Sequence, residues 1–387
     1  MSNLSNQTSL LVGAQPTKQQ LADYVNAISI VNNYAYSITN QSMPVLSQPP
    51  ANYASFVQSF VPAKQHVLNW SQNIFVNMTQ LPKTIEGQAK NMFSMEDTYI
   101  KSNLNKLISN PADKTAKKGL SDALKIVDKV IQGQLTTIGS IEKELSAFAL
   151  NVTKDSTSLS NISAQALAMA GSDKVQIGKL NTTIGQLQEN IASSQKLLMA
   201  AEMGMGISLF VCLVGVAVCA IGGAGTAIIV IAVAAESASI AGTVIEKNII
   251  KTDANLINAD QKLVSTLNQD VILLSALSSQ FQGLVKANAA AMNALTQIKN
   301  MWINLQTTIG AVSTELTAIN TDLTTADYKK ALADFKVAET NWNEVVAFAS
   351  SLAGINYKWQ DASKVWYNYD DQAPTPDTGN VNHIVAA

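Results

Sequence analysis

The sequence has no arginine. All 26 basic residues are lysine, the formal net charge is −2, and charged side chains make up only 14% of the chain. Arginine's planar fork is the usual tool for phosphates and base edges, so its absence excludes a nucleic-acid partner and counts against phosphoryl transfer. Histidine is nearly absent too. His66 and His383 have no Cys, Asp or Glu at metal-ligand spacing, so no metal or other cofactor is expected. The two cysteines, Cys212 and Cys219, are seven residues apart in one apolar run. On a helix that offset is about 10 Å of rise, too far to bridge, and both read as small apolar residues. No G-x-S-x-G elbow is present, and Gly204-Met205-Gly206 lacks the third glycine of a nucleotide fingerprint. No catalytic constellation emerges, and the chain reads as non-enzymatic. The N-terminus has no basic region and no long apolar run, so no classical signal peptide is seen and export by another route is expected.

Proline is missing where it matters. After Pro111 it does not recur until Pro374, and a run of that length without proline is what long helices require. Strand and hairpin-turn signals are scarce. What the chain does have is one stretch, residues 203–235, without a single charged side chain, closed by Glu202 and Glu236. It exceeds the roughly 20 residues that one helix needs to cross a bilayer. Gly222, Gly223 and Gly225 fall in its middle and predict a fold-back. The arms on either side, residues 203–221 and 226–245, are read as helices. Their runs of Val and Ile equally permit a β-tongue.

The stretches on either side repeat apolar residues every three and four positions. Upstream the stripe runs Leu120, Leu124, Val127, Ile131, Leu135, Ile138, Ile141, Leu145, Phe148 and Val152 to Leu159, Ile162 and Ala166. Gly171-Ser172-Asp173 predicts a kink with a fresh cap, after which the stripe resumes from Ile177 to Leu198. Downstream it runs from Ile249 through Leu274, Phe281, Leu284, Leu295, Ile298 and Trp302 to Leu305. Two very long helices of comparable length on either side of a hairpin should lie antiparallel. Shorter helices are expected over residues 17–41, 52–78, 84–108, 310–319 and 326–351. The predicted fold is therefore all-α: an elongated antiparallel bundle of long helices, forming a single body, with an apolar hairpin head between the two longest. The domain plan is a disordered N-terminal arm (1–16), a helical body (17–202 and 237–353), the head (203–236) and an irregular, aromatic-rich tail (354–387).

The head points to membrane physics. Gly204, Ser208, Cys212, Gly215, Cys219 and Gly223 form a row of small residues that lets helices approach closely in lipid. The residues expected to enter the membrane are Ile207, Leu209, Phe210, Val211, Leu213, Val214, Val216, Val218 and Ile221 on the first arm. On the second arm they are Ile228, Ile229, Val230, Ile231 and Val233. A buried core element is the plain alternative. It fits poorly, because the run is apolar on every face, where a core helix shows one polar side.

This order of parts resembles the α-helical pore-forming toxins of the cytolysin A and Bacillus haemolytic enterotoxin type. There, a long helical bundle carries a hydrophobic head between its two longest helices. The corresponding parts here are the stripe 120–198, the insertion 203–235 and the stripe 249–305. The resemblance implies a secreted, soluble protein that swings its head into a target-cell membrane, homo-oligomerises and forms a pore with companion toxin subunits. The secreted Bacillus members carry signal peptides, and this chain departs from them there. Other readings of the same pattern are a hydrophobic translocator of a contact-dependent secretion system and a structural coiled coil anchored in a membrane.

Overall fold

The computed structural model describes residues 3–39, 51–169, 171–175, 177–179, 181–182, 186, 216–223, 226–233, 266–317, 323–353, 358–360 and 366–368. In chain order the helices are α1 (Asn3–Leu11), α2 (Lys18–Thr39), α3 (Tyr53–Asn69), α4 (Phe75–Thr79), α5 (Leu81–Met95), α6 (Lys101–Ser109), α7 (Lys114–Ala168), α8 (Thr266–Thr317) and α9 (Thr325–Ala353). Wider π turns, Trp70–Ile74 and Glu96–Ile100, join α3 to α4 and α5 to α6. Four short strands complete the described elements: β1 (Val216–Gly223), β2 (Thr226–Val233), β3 (Lys358–Gln360) and β4 (Trp366–Asn368).

The helical fold is the one the stripes predict. Asp113 starts α7 by accepting from the backbone N–H groups of Thr115 and Ala116 at 2.9 and 3.0 Å, which satisfies donors that a helix start otherwise leaves bare. The predicted kink is present. Beyond α7, Gly171 adopts φ 59° at the head of a short 3-10 turn, Gly171–Asp173, a conformation that costs glycine nothing. Along α7, Leu120, Leu124, Ile131, Ile138, Leu145, Phe148, Val152 and Leu159 are all buried. Each such side chain is worth about 1.5–3 kcal/mol when fully removed from water. The part of the downstream stripe before Thr266 lies outside the described residues. Gly310, expected to begin a separate helix, continues α8 instead.

The chain divides into two compact units rather than the single body expected, and α2, α4, α7 and α8 contribute residues to both. The first unit comprises residues 1–24, 78–143 and 293–354. Within it α7 and α8 run antiparallel, tied by Gln306 donating to Asp128 (3.0 Å) and by the Lys299–Glu142 ion pair (2.5 Å). Trp302 of α8 packs on Trp342 of α9 with ring centroids 5.3 Å apart. The N-terminal arm, expected to be disordered, carries α1. Leu4 and Leu11 are buried, and Thr8, wholly buried, donates to Asp334 of α9 at 2.7 Å. Asn341 of α9 donates to the Val12 carbonyl at 2.7 Å. These partners are over 300 residues away in sequence, which is why the arm looked unattached.

The second unit comprises residues 25–77, 144–292 and 355–387. Here α3 and α7 are antiparallel neighbours. Asn52 donates to the Ile162 carbonyl (2.8 Å), Ser59 bonds Ser158 (3.0 Å) and His66 bonds Asp155 (2.7 Å). On α8, Ser278 bonds Ser160 (2.8 Å) and Asn288 donates to the Leu145 carbonyl (3.4 Å). Phe60 meets Phe281 edge to face, and Trp70 packs on Phe148. Pro62 sits inside α3; the departure from α geometry comes at the Trp70–Ile74 turn. In the tail, expected to be irregular, β3 pairs with β4.

Candidate functional site

The uncharged stretch begins to take shape in its centre. β1 and β2 pair antiparallel over eight residues each, from Val216↔Val233 through Val218↔Ile231, Cys219↔Val230 and Ile221↔Ile228 to Gly223↔Thr226. The fold-back thus falls where the glycines predict it. Gly222 and Gly223 close β1, opposite Ala227 and Thr226. The described parts of the arms, β1 and β2, are strands rather than the helices first expected, and their composition is compatible with that. Ile228, Ile229, Val230, Ile231 and Val233 are β-branched, as are Val216, Val218 and Ile221. Such side chains lose χ1 freedom in a helix and fit a pleated strand. At about 3.4 Å per residue each strand is roughly 27 Å long.

The expected membrane-entering residues Val216, Val218 and Ile221 lie on β1, and Ile228, Ile229, Val230, Ile231 and Val233 on β2. The register brings them together: Val216 opposite Val233, Val218 opposite Ile231 and Ile221 opposite Ile228. Ile207, Leu209, Phe210, Val211, Leu213 and Val214 lie outside the described residues, as do Gly225 of the turn and the flanking Glu202 and Glu236. Across the two strands there is no charged residue, and Thr226 is the one polar residue.

Among the described residues, no helix is long and apolar enough to cross a membrane. Among them also, no group of His, Cys, Asp or Glu is placed to hold a metal ion.

Two charged constellations had no sequence signal. In the first unit Lys101 reaches Asp97 and Glu339, each at 2.6 Å, with Glu96 Oε1 4.0 Å away. Burial drives the Glu96 carboxyl up from 4.5 to about 8 against the opposing pull of Lys101. Partial burial lowers Lys101, but its hydrogen bonds to Asp97 and Glu339 outweigh that and hold the ammonium above its ordinary value. In the second unit His66 Nδ1 bonds Asp155 Oδ2 at 2.7 Å. Burial raises the Asp155 carboxyl, and His66 and Lys154 pull it back only in part. His66 and Asp155 are far apart in sequence and meet only when α3 packs on α7.

Fold and site define a helical protein with an apolar insertion between its two longest helices. The family model described as Bacillus haemolytic enterotoxin (HBL) matches residues 12–194, just under half of the chain. The soluble AhlB of the tripartite alpha-pore forming toxin AHL from Aeromonas hydrophila is similar in structure, with a TM-score of 0.66 and 18% identity. That match covers 88% of this chain and 93% of AhlB. The Bacillus cereus HblL1 toxin component has a TM-score of 0.63 and 16% identity, covering 88% of this chain and 96% of its own. The cytotoxin MakB from Vibrio cholerae has a TM-score of 0.65 and 13% identity, covering 92% and 99%. At such identities the likeness to these structures is one of fold. No curated protein sequence matches the chain. The chain thus resembles the Bacillus haemolytic enterotoxin type of α-helical pore-forming toxin over nearly its whole length in fold and over residues 12–194 in sequence.

Proposed function

We propose that this chain is one component of a multipart α-pore-forming toxin. It is secreted soluble, inserts its apolar hairpin into a target-cell membrane, oligomerises there and completes a pore with companion subunits. It acts without enzymatic chemistry and without a cofactor. The observation that carries this reading is the uncharged stretch 203–235, which lies between α7 and α8 in sequence and whose residues 216–223 pair antiparallel with 226–233. A stretch of that size buries enough apolar surface, at about 25 cal/mol per Å², to drive insertion by well over 10 kcal/mol gross.

The form of the inserted state follows from backbone chemistry. A two-stranded hairpin leaves its outer N–H and C=O groups bare, which hydrocarbon does not tolerate. Closure into a barrel needs strands that alternate apolar with polar, and β1 and β2 have no such alternation, Thr226 being their one polar residue. Helices satisfy their own backbone. As helices, residues 203–221 and 226–245 each reach roughly 28–30 Å, the thickness of a bilayer core; Glu236, midway along the second arm, then faces the water of the pore rather than lipid. The hairpin therefore enters lipid as two helical arms, with the small-residue row of the first arm available for close helix contacts. Companion subunits are inferred because AhlB is described as part of a tripartite toxin, as is SmhA from Serratia marcescens.

Release of a dye trapped in liposomes tests the proposal. The purified protein is assayed alone and with the proteins encoded beside it. Release only with neighbours is the expected result. If the protein neither releases dye nor floats with liposomes in any combination, the hairpin is a buried core element and the toxin reading fails.

A further inference from the structure

Lys101 stands five residues after Glu96. In an α-helix that offset turns the two side chains about 140° apart. The π turn Glu96–Ile100 closes the gap: the Lys101 backbone N–H bonds the Glu96 carbonyl, and the two side chains come to one side of the chain. π turns of this kind concentrate at functional positions. Glu96 is only 6% exposed, and its Oε1 has no hydrogen-bond partner in the protein. It lines a cavity of about 40 Å³ together with Glu339 and Trp342 of α9, Leu11 of α1, Val127 of α7 and Ile309 of α8. That volume has room for a few water molecules. The ionisable groups acting on Glu96 are Lys101, Glu339 and Asp97; α1, α7 and α8 present only apolar side chains to the cavity.

One ammonium thus serves three carboxyl groups, and it cannot neutralise all three. We propose that Glu96, Lys101 and Glu339 form a proton-operated clasp: a neutral Glu96 leaves Lys101 free to hold α9 through Glu339, and ionisation of Glu96 loosens α9 from the α5–α6 segment. α1 is fastened to α9 through Thr8–Asp334 and Asn341–Val12, so α1 loosens with it. The direction with pH follows from burial. The Glu96 carboxyl sits at about 8 in the folded chain and at 4.5 when unburied. Protonation therefore favours the closed clasp. Its contribution is complete below pH 4.5, declines as pH rises and is lost above 8.

Hydrogen exchange on the full chain, corrected for the intrinsic pH dependence of amide exchange, reads this directly. Between pH 6.5 and 9 the wild-type amides of α9 and α1 should lose protection roughly thirtyfold, levelling off above pH 8. Glu96→Gln, a neutral near-isostere, should stay flat over the same range and exchange more slowly than wild type throughout it, because the wild-type contribution is already declining above pH 4.5. Infrared spectra of the wild-type protein give a second reading that needs no variant to fold. A buried carboxylic-acid carbonyl band should be present at pH 6.5 and fade by pH 9.5, and Glu96→Gln should lack it. Equal pH profiles in the two proteins, or no such band at pH 6.5, overturns the clasp.

Discussion

The ring of Tyr34 on α2 occupies the space that a side chain would need at Gly283 on α8. A Cβ built on that glycine would collide with Cε1, Cζ and Oη of the tyrosine. Gly283 lies in mid-helix, where glycine normally costs about 0.5–1 kcal/mol relative to alanine. Here close approach, rather than backbone freedom, calls for it. Gly283→Ala should destabilise the protein by about 1–3 kcal/mol, the usual cost of overpacking. Gly133→Ala on α7, exposed and with nothing within 4 Å, should stabilise it by about 0.5–1 kcal/mol. Urea unfolding followed by circular dichroism separates the two. Equal behaviour would mean that the Tyr34 contact costs nothing to displace.

His66 and Asp155 offer a test of burial against pairing. Burial holds the Asp155 carboxyl above its ordinary value of 3.8 despite the His66 bond. A carboxyl raised in this way contributes most below pH 3.8 and loses its contribution as pH rises through its folded value. Asp155→Asn removes the buried charge and keeps an acceptor for His66. The variant should therefore match or trail wild type near pH 3, gain on it as pH rises through the folded value of Asp155 and hold that gain to pH 8, as measured by urea midpoints across that range. A variant that loses ground with rising pH would show that the His66 bond outweighs burial.

Periodicity made the helices legible because burial repeats locally. Leu120 through Ala166 names the buried face of α7 almost residue by residue, and Gly171 marks its end. What was not legible depends on distant partners. The buried face of α1 has meaning only once Thr8 meets Asp334 and Asn341 meets Val12, so the arm read as disordered. The turn at Glu96–Ile100 has no composition of its own, being one extra residue in an otherwise regular helix, and with it the Lys101 cluster stayed hidden. Gly222 and Gly223 announced the fold-back of the hairpin, but not its secondary structure. Val and Ile are compatible with both helix and strand in a run this apolar, and the β1–β2 register decided between them.

The proposed insertion is most sharply tested by a single charge in the hairpin. Ile229 lies within β2, opposite Ala220, and Val214 belongs to the other arm of the same uncharged stretch. Neither lies in α7 or α8, so Ile229→Asp and Val214→Asp should leave the helical circular dichroism unchanged. In a bilayer the outcome differs. An aspartate near the centre of a spanning helix costs about 2.5–3.5 kcal/mol, which is on the order of a hundredfold in partitioning. Both variants should therefore lose liposome flotation by about that factor, and dye release with it. Val337→Asp, at an exposed valine of α9, supplies the control, since the same charge placed there should change neither. Flotation of both hairpin variants at wild-type levels would remove the hairpin from the mechanism, because a carboxylate at position 214 or 229 of the uncharged stretch would have to enter hydrocarbon at a cost.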